Sequence, residues 1–475
     1  MRTFKEYKKS LLKMRPNIYI GGELIGRDDR RVDAGMKVIA MTYDAAQDPR
    51  FKDLITVKSP LTGKEINRYT HVPQNSEDLL AKQKLTRELC GLCGGCIQRC
   101  MANDTISAIS IVTKEMDDEL GTEYLERFLN YLKYYQDNDL CGNAGQTDIK
   151  GDRSKRPYEQ QDPDLYLRVV EKKKGGIVVR GAKAHNTMAP YADEIIVVPT
   201  RAMTKDDSDW AVSFAIPADT EGISLIAKAS QPDPRTHIKA PYNEKGIMDS
   251  LTVFDNVFVP WERVFMCGEW KYAGRLALLF ANYHRFSYCG CKPATTDIVM
   301  GATALVAEYN GVANASHIKD DLAELMVIAE LVYAAGVAAA VYGTKTSSGT
   351  FAPNFTYSNA GRYHAGINIY HEYDVLAATA GGWPATMPSE EDFYNKAIKG
   401  YLEKYSMRKP GISAESQHRL FRFISDFSCS AWSAEWQYGG VHGGGSPIME
   451  LIGIRSQYDL KSKMELVKDL AGIKE

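Results

Sequence analysis

The sequence predicts a mixed α+β protein in three stretches: helical, then β-rich, then a helical bundle. Two observations carry this. Apolar residues recur at helical spacing in the N-terminal and C-terminal parts of the chain. Between them lie short β-branched runs separated by turn residues, with no helical pattern among them. The expected domains are residues 1–146, 147–271 and 272–475.

The elements follow in chain order. Thr3 and Glu6 stand three apart, ahead of Tyr7, Leu11 and Leu12, which is a capping-box start. SEDLLAKQKLTREL gives a helix after Ser76 that leads into four cysteines. EYLERFLNYLKYYQ places Tyr124, Phe128, Tyr131 and Leu132 on one helical face. TDIKGDRSKRPYEQQDPD is polar, charged and proline-bearing, and reads as a loop. GIVVRGAKA, EIIVVPT, WAVSFAIPA, ISLIAKA and LTVFDNVFVP then read as five strands of an antiparallel sheet or small barrel. GRLALLFANYHRFSYCGCK, TDIVMGATALVAEYNG and IKDDLAELMVIAELVYAAGVAAAVYG are long, alanine-rich helices, apolar around much of their circumference. Such helices belong inside a bundle or at an oligomer interface. GINIYHEYDVLAATAGGW and HRLFRFISDFSCSAWSAEW continue the set.

Composition narrows the function. Lys plus Arg total 58 and Asp plus Glu 60, a net charge of -2 that lacks the basic excess of a nucleic-acid binder. With 44% hydrophobic and 25% charged residues the chain is an ordinary globular protein rather than a disordered one. The longest uncharged apolar run, residues 331–342, is shorter than the ~20 residues that span a bilayer. MRTFKEYKKS carries charges where a signal peptide is apolar, so a cytoplasmic protein is expected.

Nine cysteines are too few for a disulfide scaffold, and they cluster. Cys90, Cys93, Cys96 and Cys100 have a bacterial-type iron–sulfur spacing, with Met101 in place of the usual proline. Thiolates suit iron–sulfur clusters or zinc. If all four bind, the cluster is closed and the protein is an electron carrier. A second set is also written in the sequence. CIQRC puts Cys96 and Cys100 at i and i+4, and YHRFSYCGC puts His284, Tyr288 and Cys291 on one helical face. A neutral imidazole is a more labile ligand, so this set would open an iron to substrate oxygen. Cys141, Cys267 and Cys429 stand alone and are expected to be buried small apolar residues.

Two loops add candidates. Lys150, Arg153, Lys155 and Arg156 surround Gly151 and suit a phosphate-bearing cofactor, or simply a solvated loop. Residues 439–447, GGVHGGGSP, let a backbone approach a ligand closely. Neither a G-x-G-x-x-G nor a GK[ST] loop is present, so a flavin here would need another kind of fold.

Across nearly its whole length the chain resembles the 4-hydroxyphenylacetate 3-hydroxylase family of flavoproteins, and within it the 4-hydroxybutyryl-CoA dehydratase branch. The resemblance lies in MTYDAAQDP, CIQRC, KGDR, DPDLYLRVVEK, GIVVRGAKAH, VFDNVFVPWERVF, YHRFSYCGCK, AEYNG, SHIKD, AGG followed by TMPSE, and HGGGSP. It implies an acyl-CoA dehydrogenase-like fold with a middle β-barrel and a C-terminal bundle, in a homotetramer with FAD near subunit interfaces. It also implies a [4Fe-4S] cluster on Cys96, Cys100, His284 and Cys291, leaving Cys90 and Cys93 without a family role. FAD would lie against residues 146–153, with Gln146, Thr147, Asp148, Lys150, Asp152 and Arg153, and against His185 and Thr187.

The implied reaction removes water from a 4-hydroxyacyl-CoA by a radical route and isomerises vinylacetyl-CoA, in an anaerobic setting. His284 is then a proton carrier as well as a ligand, Tyr288 a hydrogen-bonding acid, and Lys292 a neighbouring catalytic group. Two family glutamates fall on Asp249 and Gly439, so one carboxylate is shortened and the other is absent. Glu435 lies one helical turn before Gly439. The departures point to a variant substrate or to isomerisation alone. The other branch of the family implies a flavin-dependent hydroxylase of aromatic substrates, with the cysteines structural.

Overall fold

The computed structural model describes residues 1–474. Its N-terminal part is helical, with Phe4–Leu11, Arg30–Asp44, Ser76–Cys93, Cys100–Leu120 and Tyr124–Asp137 as the main helices. Thr3 and Glu6 form the expected capping box, satisfying two end N–H groups reciprocally. Cys100–Leu120 has buried Asn103, Asp104, Thr105 and Ser107 on its inward side, so its polar face hid it from a periodicity reading.

All five expected strands form: Gly176–Thr187, Glu194–Val197, Val212–Pro217, Ile223–Ser230 and Ile247–Pro260. Hydrogen bonding divides the β region into a six-stranded and a four-stranded sheet, and among the described residues it does not close a barrel. The sheets are mixed rather than purely antiparallel. Ile18–Ile20 joins Ile223–Ser230 in parallel, and Gly142–Gly145 joins Glu194–Val197 in parallel. One apolar core runs through both sheets, the N-terminal helices and the start of the C-terminal part, with Ile106, Phe128, Ile195, Phe254 and Phe280 among its buried members.

The two segments GRLALLFANYHRFSYCGCK and TDIVMGATALVAEYNG are one 41-residue helix, Trp270–Asn310. Pro293 in its interior lacks an N–H and frees the carbonyl of Cys289 four residues back. The side-chain amide of Gln83 donates to that carbonyl at 3.3 Å, so the helix continues through the proline. In contrast, HRLFRFISDFSCSAWSAEW splits into Ala414–Cys429 and Ala431–His442. Ser430 is extended there, and its side chain caps the second helix at the N–H of Ser433.

Ser316–Val341 packs between Trp270–Asn310 and Phe355–Ala380, while Met326, Val327, Leu331 and Val341 face outward. By length and composition it is apolar enough to cross a bilayer, which the uncharged run understated because Glu330 interrupts it.

Buried Arg99 ties segments of the N-terminal helical part together. It ion-pairs with Asp139, donates to Thr42 Oγ1 at 3.0 Å and lies 4.4 Å from the Tyr43 ring centroid. Removing one partner of a buried pair leaves an unpaired charge in a low-dielectric interior. Arg99→Met is therefore expected to lower the unfolding free energy by about 3–5 kcal/mol, read by urea denaturation, with part of the loss recovered in Arg99→Met/Asp139→Asn, which removes the unpaired charge and suits the positive φ of that position.

Candidate metal and flavin site

The cysteines meet through a loop rather than a helix. Ser76–Cys93 ends at Gly94 in the left-handed region (φ 78), and Gln98 is again at positive φ (65). Residues 96–99 are non-helical and Cys100 only begins the next helix, so Cys96 and Cys100 do not share a helical face as the spacing predicted. The loop nevertheless brings the thiols into one neighbourhood: Cys90, Cys93, Cys100 and Cys291 are buried in one apolar cluster, and Cys96 lies beside Cys100 and Cys291. The neighbouring Cys96 and burial push the Cys100 thiol well up. The Gln98 N–H donates to Cys96 Sγ at 3.2 Å. Cys90 is buried in the same apolar cluster as Cys100 and Cys291, and its sulfur accepts the Ile97 N–H at 3.4 Å. Cys141 and Cys267 are buried as expected, whereas Cys429 is exposed on the last turn of its helix.

His284, Tyr288 and Cys291 do lie on one face of Trp270–Asn310. Cys100, Asp104 and His284 have their ligand atoms within 4.8 Å of one another. Asp104 is fully buried and saturated: it accepts from Lys82 at 2.6 Å, from Ser287 at 2.9 Å, and faces His284 Nδ1 at 2.9 Å. Burial pushes its carboxyl up, but Lys82 and His284 outweigh this and hold it low. A carboxylate so occupied serves the imidazole rather than a metal. Contact with Nδ1 leaves the other ring nitrogen of His284 free, the arrangement outer carboxylates give metal-bound histidines. Sequence reading missed Asp104, whose only signal is a polar run inside a helix.

A glycine-rich segment closes this side. A Cβ on Gly443 would stand 1.6 Å from the Tyr288 hydroxyl, and one on Gly444 3.4 Å from the His284 ring. Glycine is required at 443 by this approach and at 444 by its positive φ of 76. Buried Arg362 donates to the carbonyls of Val441 at 3.0 Å and Gly443 at 2.8 Å, and its guanidinium lies 4.5 Å from the Tyr288 ring centroid. Arg285 takes the Gly444 carbonyl at 2.9 Å. The Tyr288 hydroxyl donates to the Gly439 carbonyl at 3.1 Å, and burial pushes its pKa up, so it is a neutral donor. Lys292 does not reach this face: its ammonium lies on Glu372 at 2.7 Å, both buried.

The expected flavin residues lie across the Ala431–His442 helix, on the sheet. His185 occupies a bulge where Gly176–Thr187 slips against Ile247–Pro260, at φ 56, and its side chain is exposed. A bulge re-aims a side chain in this way. Thr187 pairs with Asp249 across the strands, and its hydroxyl donates to that carboxylate. Lys150, Asp152 and Arg153 are exposed on the adjoining loop. Asp152 accepts from Ser154, and Gln146 and Thr147 are partly buried at the loop's start. Asp148 is drawn inward instead. It forms a buried pair with Lys183 at 2.8 Å, so its carboxylate supports the fold.

Two family models cover the chain: the 4-hydroxyphenylacetate 3-hydroxylase N-terminal model over residues 3–266 and the C-terminal model over residues 273–472. The chain belongs to the 4-hydroxyphenylacetate 3-hydroxylase family. Within that family it is 39% identical to 4-hydroxybutyryl-CoA dehydratase/vinylacetyl-CoA-Δ-isomerase of Clostridium aminobutyricum, over 100% of both chains. It is 28% identical to the oxygenase component of 4-hydroxyphenylacetate 3-monooxygenase of Thermus thermophilus, over 91% of this chain and 89% of that one. Among solved structures, an oxygen-tolerant archaeal 4-hydroxybutyryl-CoA dehydratase from N. maritimus matches at TM-score 0.96 and 35% identity, covering 100% of this chain and 95% of that one. The oxygenase component of 4-hydroxyphenylacetate 3-monooxygenase complexed with FAD matches at TM-score 0.89 and 25% identity, over 99% and 98%.

Gly443→Ala is expected to overpack the Tyr288 contact and to cost about 1–3 kcal/mol of stability. In a Tyr288→Phe background the penalty should shrink, because the nearest atom is gone. Thermal unfolding of the four variants reads both effects.

Proposed function

We propose that the protein is a [4Fe-4S]- and FAD-dependent dehydratase/isomerase of a 4-hydroxyacyl-CoA or closely related thioester, working as a cytoplasmic homotetramer under anaerobic conditions. The observation that carries this is the donor set. Cys96 lies between Cys100 and Cys291, and Cys100 stands within 4.8 Å of an imidazole whose Nδ1 faces Asp104 at 2.9 Å. Thiolates with one neutral nitrogen fit an iron–sulfur cluster with a labile iron. Such a cluster supplies Lewis acidity toward a leaving hydroxyl, and flavin supplies one-electron chemistry.

The chain's own residues do the remaining work. Asp104, facing His284 Nδ1, would fix the tautomer that presents the other ring nitrogen to an iron of the cluster. Tyr288 offers a neutral hydroxyl one turn away. Arg362 and Arg285 hold the glycine backbone against both rings. On the sheet side, His185, Thr187, Lys150 and Arg153 suit a flavin and its phosphates, the cations as screened point charges.

The hydroxylase reading is favoured by one finding, the likeness to the FAD-bound 4-hydroxyphenylacetate 3-monooxygenase component. It predicts flavin without iron.

Protein purified without air should carry about four irons and one flavin per subunit, as a [4Fe-4S] cluster requires. His284→Ala should make the iron labile, and Asp104→Asn should weaken iron retention about 10–100-fold. Cys90→Ser should leave the iron content unchanged, since this thiol lies outside the proposed set. Iron, sulfide and flavin analysis separates these outcomes; flavin alone in the wild type would transfer the protein to the hydroxylase reading.

A further inference from the structure

The cysteine loop is held by a contact that the ligand set does not explain. Gln98, between Cys96 and Cys100, is fully buried and stands in the left-handed region at φ 65. Glycine takes this backbone readily, and asparagine or aspartate tolerate it; a longer side chain there is uncommon. Backbone strain of this kind persists only where the surroundings over-determine it.

Both ends of the Gln98 side-chain amide are engaged. Its Oε1 accepts from the Tyr191 hydroxyl, and its Nε2 donates to the Gly246 carbonyl at 3.4 Å. Tyr191 is itself fully buried and fixed from several sides. Its hydroxyl accepts the Met248 N–H at 3.3 Å, from the strand Ile247–Pro260, and its carbonyl accepts from the Tyr7 hydroxyl. A Cβ on Gly35 would stand 2.3 Å from its ring, so the helix Arg30–Asp44 admits that ring only at a glycine. A tyrosine far along the chain thus dictates the backbone between two thiols.

The consequence falls on one sulfur. In this conformation the Gln98 N–H donates back to Cys96 Sγ at 3.2 Å. Hydrogen bonds to the sulfurs are one of the levers on iron–sulfur reduction potential. They draw electron density from the thiolate and favour the reduced, more negative state. The same withdrawal makes a bound iron a stronger Lewis acid toward an oxygen ligand.

We propose that Tyr191 is a positioning residue of the metal centre: acting through Gln98, it holds the N–H that donates to Cys96 and thereby raises the reduction potential of the cluster. This rests on the dehydratase reading. Tyr191 acts at one remove, since its hydroxyl contacts Gln98 and Met248 rather than a thiol. Without the hydroxyl, the Gln98 Oε1 and the Met248 N–H lose their buried partner, and nothing but its own unfavourable φ decides where the Gln98 N–H points.

The test is a potentiometric titration of the holoenzyme purified without air, with europium(II) chelates each giving one electron to the cluster. The reduced cluster is read by electron paramagnetic resonance. Hydrogen–deuterium exchange of the peptide spanning residues 94–100 is the second readout. Tyr191→Phe should lower the potential by an amount equal to about tenfold in the reduction constant, about 59 mV for one electron. Iron and flavin contents should match wild type, and the peptide should exchange faster. Gln98→Gly relieves the backbone but removes the lock, so it should give a similar shift. Combined with Tyr191→Phe it should add little, the sign of one shared path. Tyr7→Phe removes a backbone contact of the same tyrosine while Gly35 and Met248 keep the ring in place, so it should cost stability and leave the potential unchanged. An iron-loaded Tyr191→Phe protein with the wild-type potential would overturn the proposal, as would equal shifts in Tyr191→Phe and Tyr7→Phe. Wild type without iron would instead sink the dehydratase reading, and with it the metal role given to Tyr191; faster exchange in Tyr191→Phe would then leave the lock standing as a loop anchor only.

Discussion

The Asp104 carboxylate is the constraint on which the cluster side of the molecule depends. It is fully buried, and an ionised carboxylate in that position is tolerable only with close cations and donors around it. Those partners come from two other helices, Lys82 from Ser76–Cys93 and His284 and Ser287 from Trp270–Asn310, while the aspartate itself stands on Cys100–Leu120. Satisfying one charge therefore fixes the distance and rotation of the helices that carry Cys100, His284 and Cys291. The same contact orients the imidazole. Fold and site geometry are set here by one electrostatic requirement.

The other side is governed by backbone proximity. Tyr288 and His284 sit under a segment that tolerates no Cβ at Gly443, and the carbonyls left over by that tight turn are taken by two buried arginines. This explains why a glycine run, otherwise an entropic cost, is found against the candidate chemistry. It also places Ala431–His442 between the thiol loop and the sheet, so that Glu435, Gly439 and Trp436 each address a different wall. In the family to which the chain belongs, a shared scaffold hosts relatives named as dehydratase and as monooxygenase. The donor set distinguishes such functions, because the scaffold alone does not.

Much of the local structure was legible. The capping box at Thr3, the helix over Tyr124–Asp137 and the five strands follow from spacing of two or 3.6 residues, which are properties of neighbouring residues alone. The joint placement of His284, Tyr288 and Cys291 on one face was readable for the same reason. CIQRC misled, because an i, i+4 spacing says nothing when Gly94 and Gln98 adopt positive φ and unwind the chain. The unbroken helix through Pro293 was equally hidden, since the donor that rescues the Cys289 carbonyl is Gln83, more than two hundred residues away.

The sequence by itself determined the element types, the mixed α+β class and the residue kinds available for chemistry, since periodicity, turn residues and thiol content act over a few positions. The tertiary structure alone decided that Cys96 lies beside Cys291, that Asp104 serves His284, that Lys292 and Asp148 are consumed in buried pairs, and that Tyr191 meets Gln98. Each of these joins segments far apart in the chain. Their charges and hydrogen-bonding groups acquire partners only when packing removes water and brings them within bonding distance.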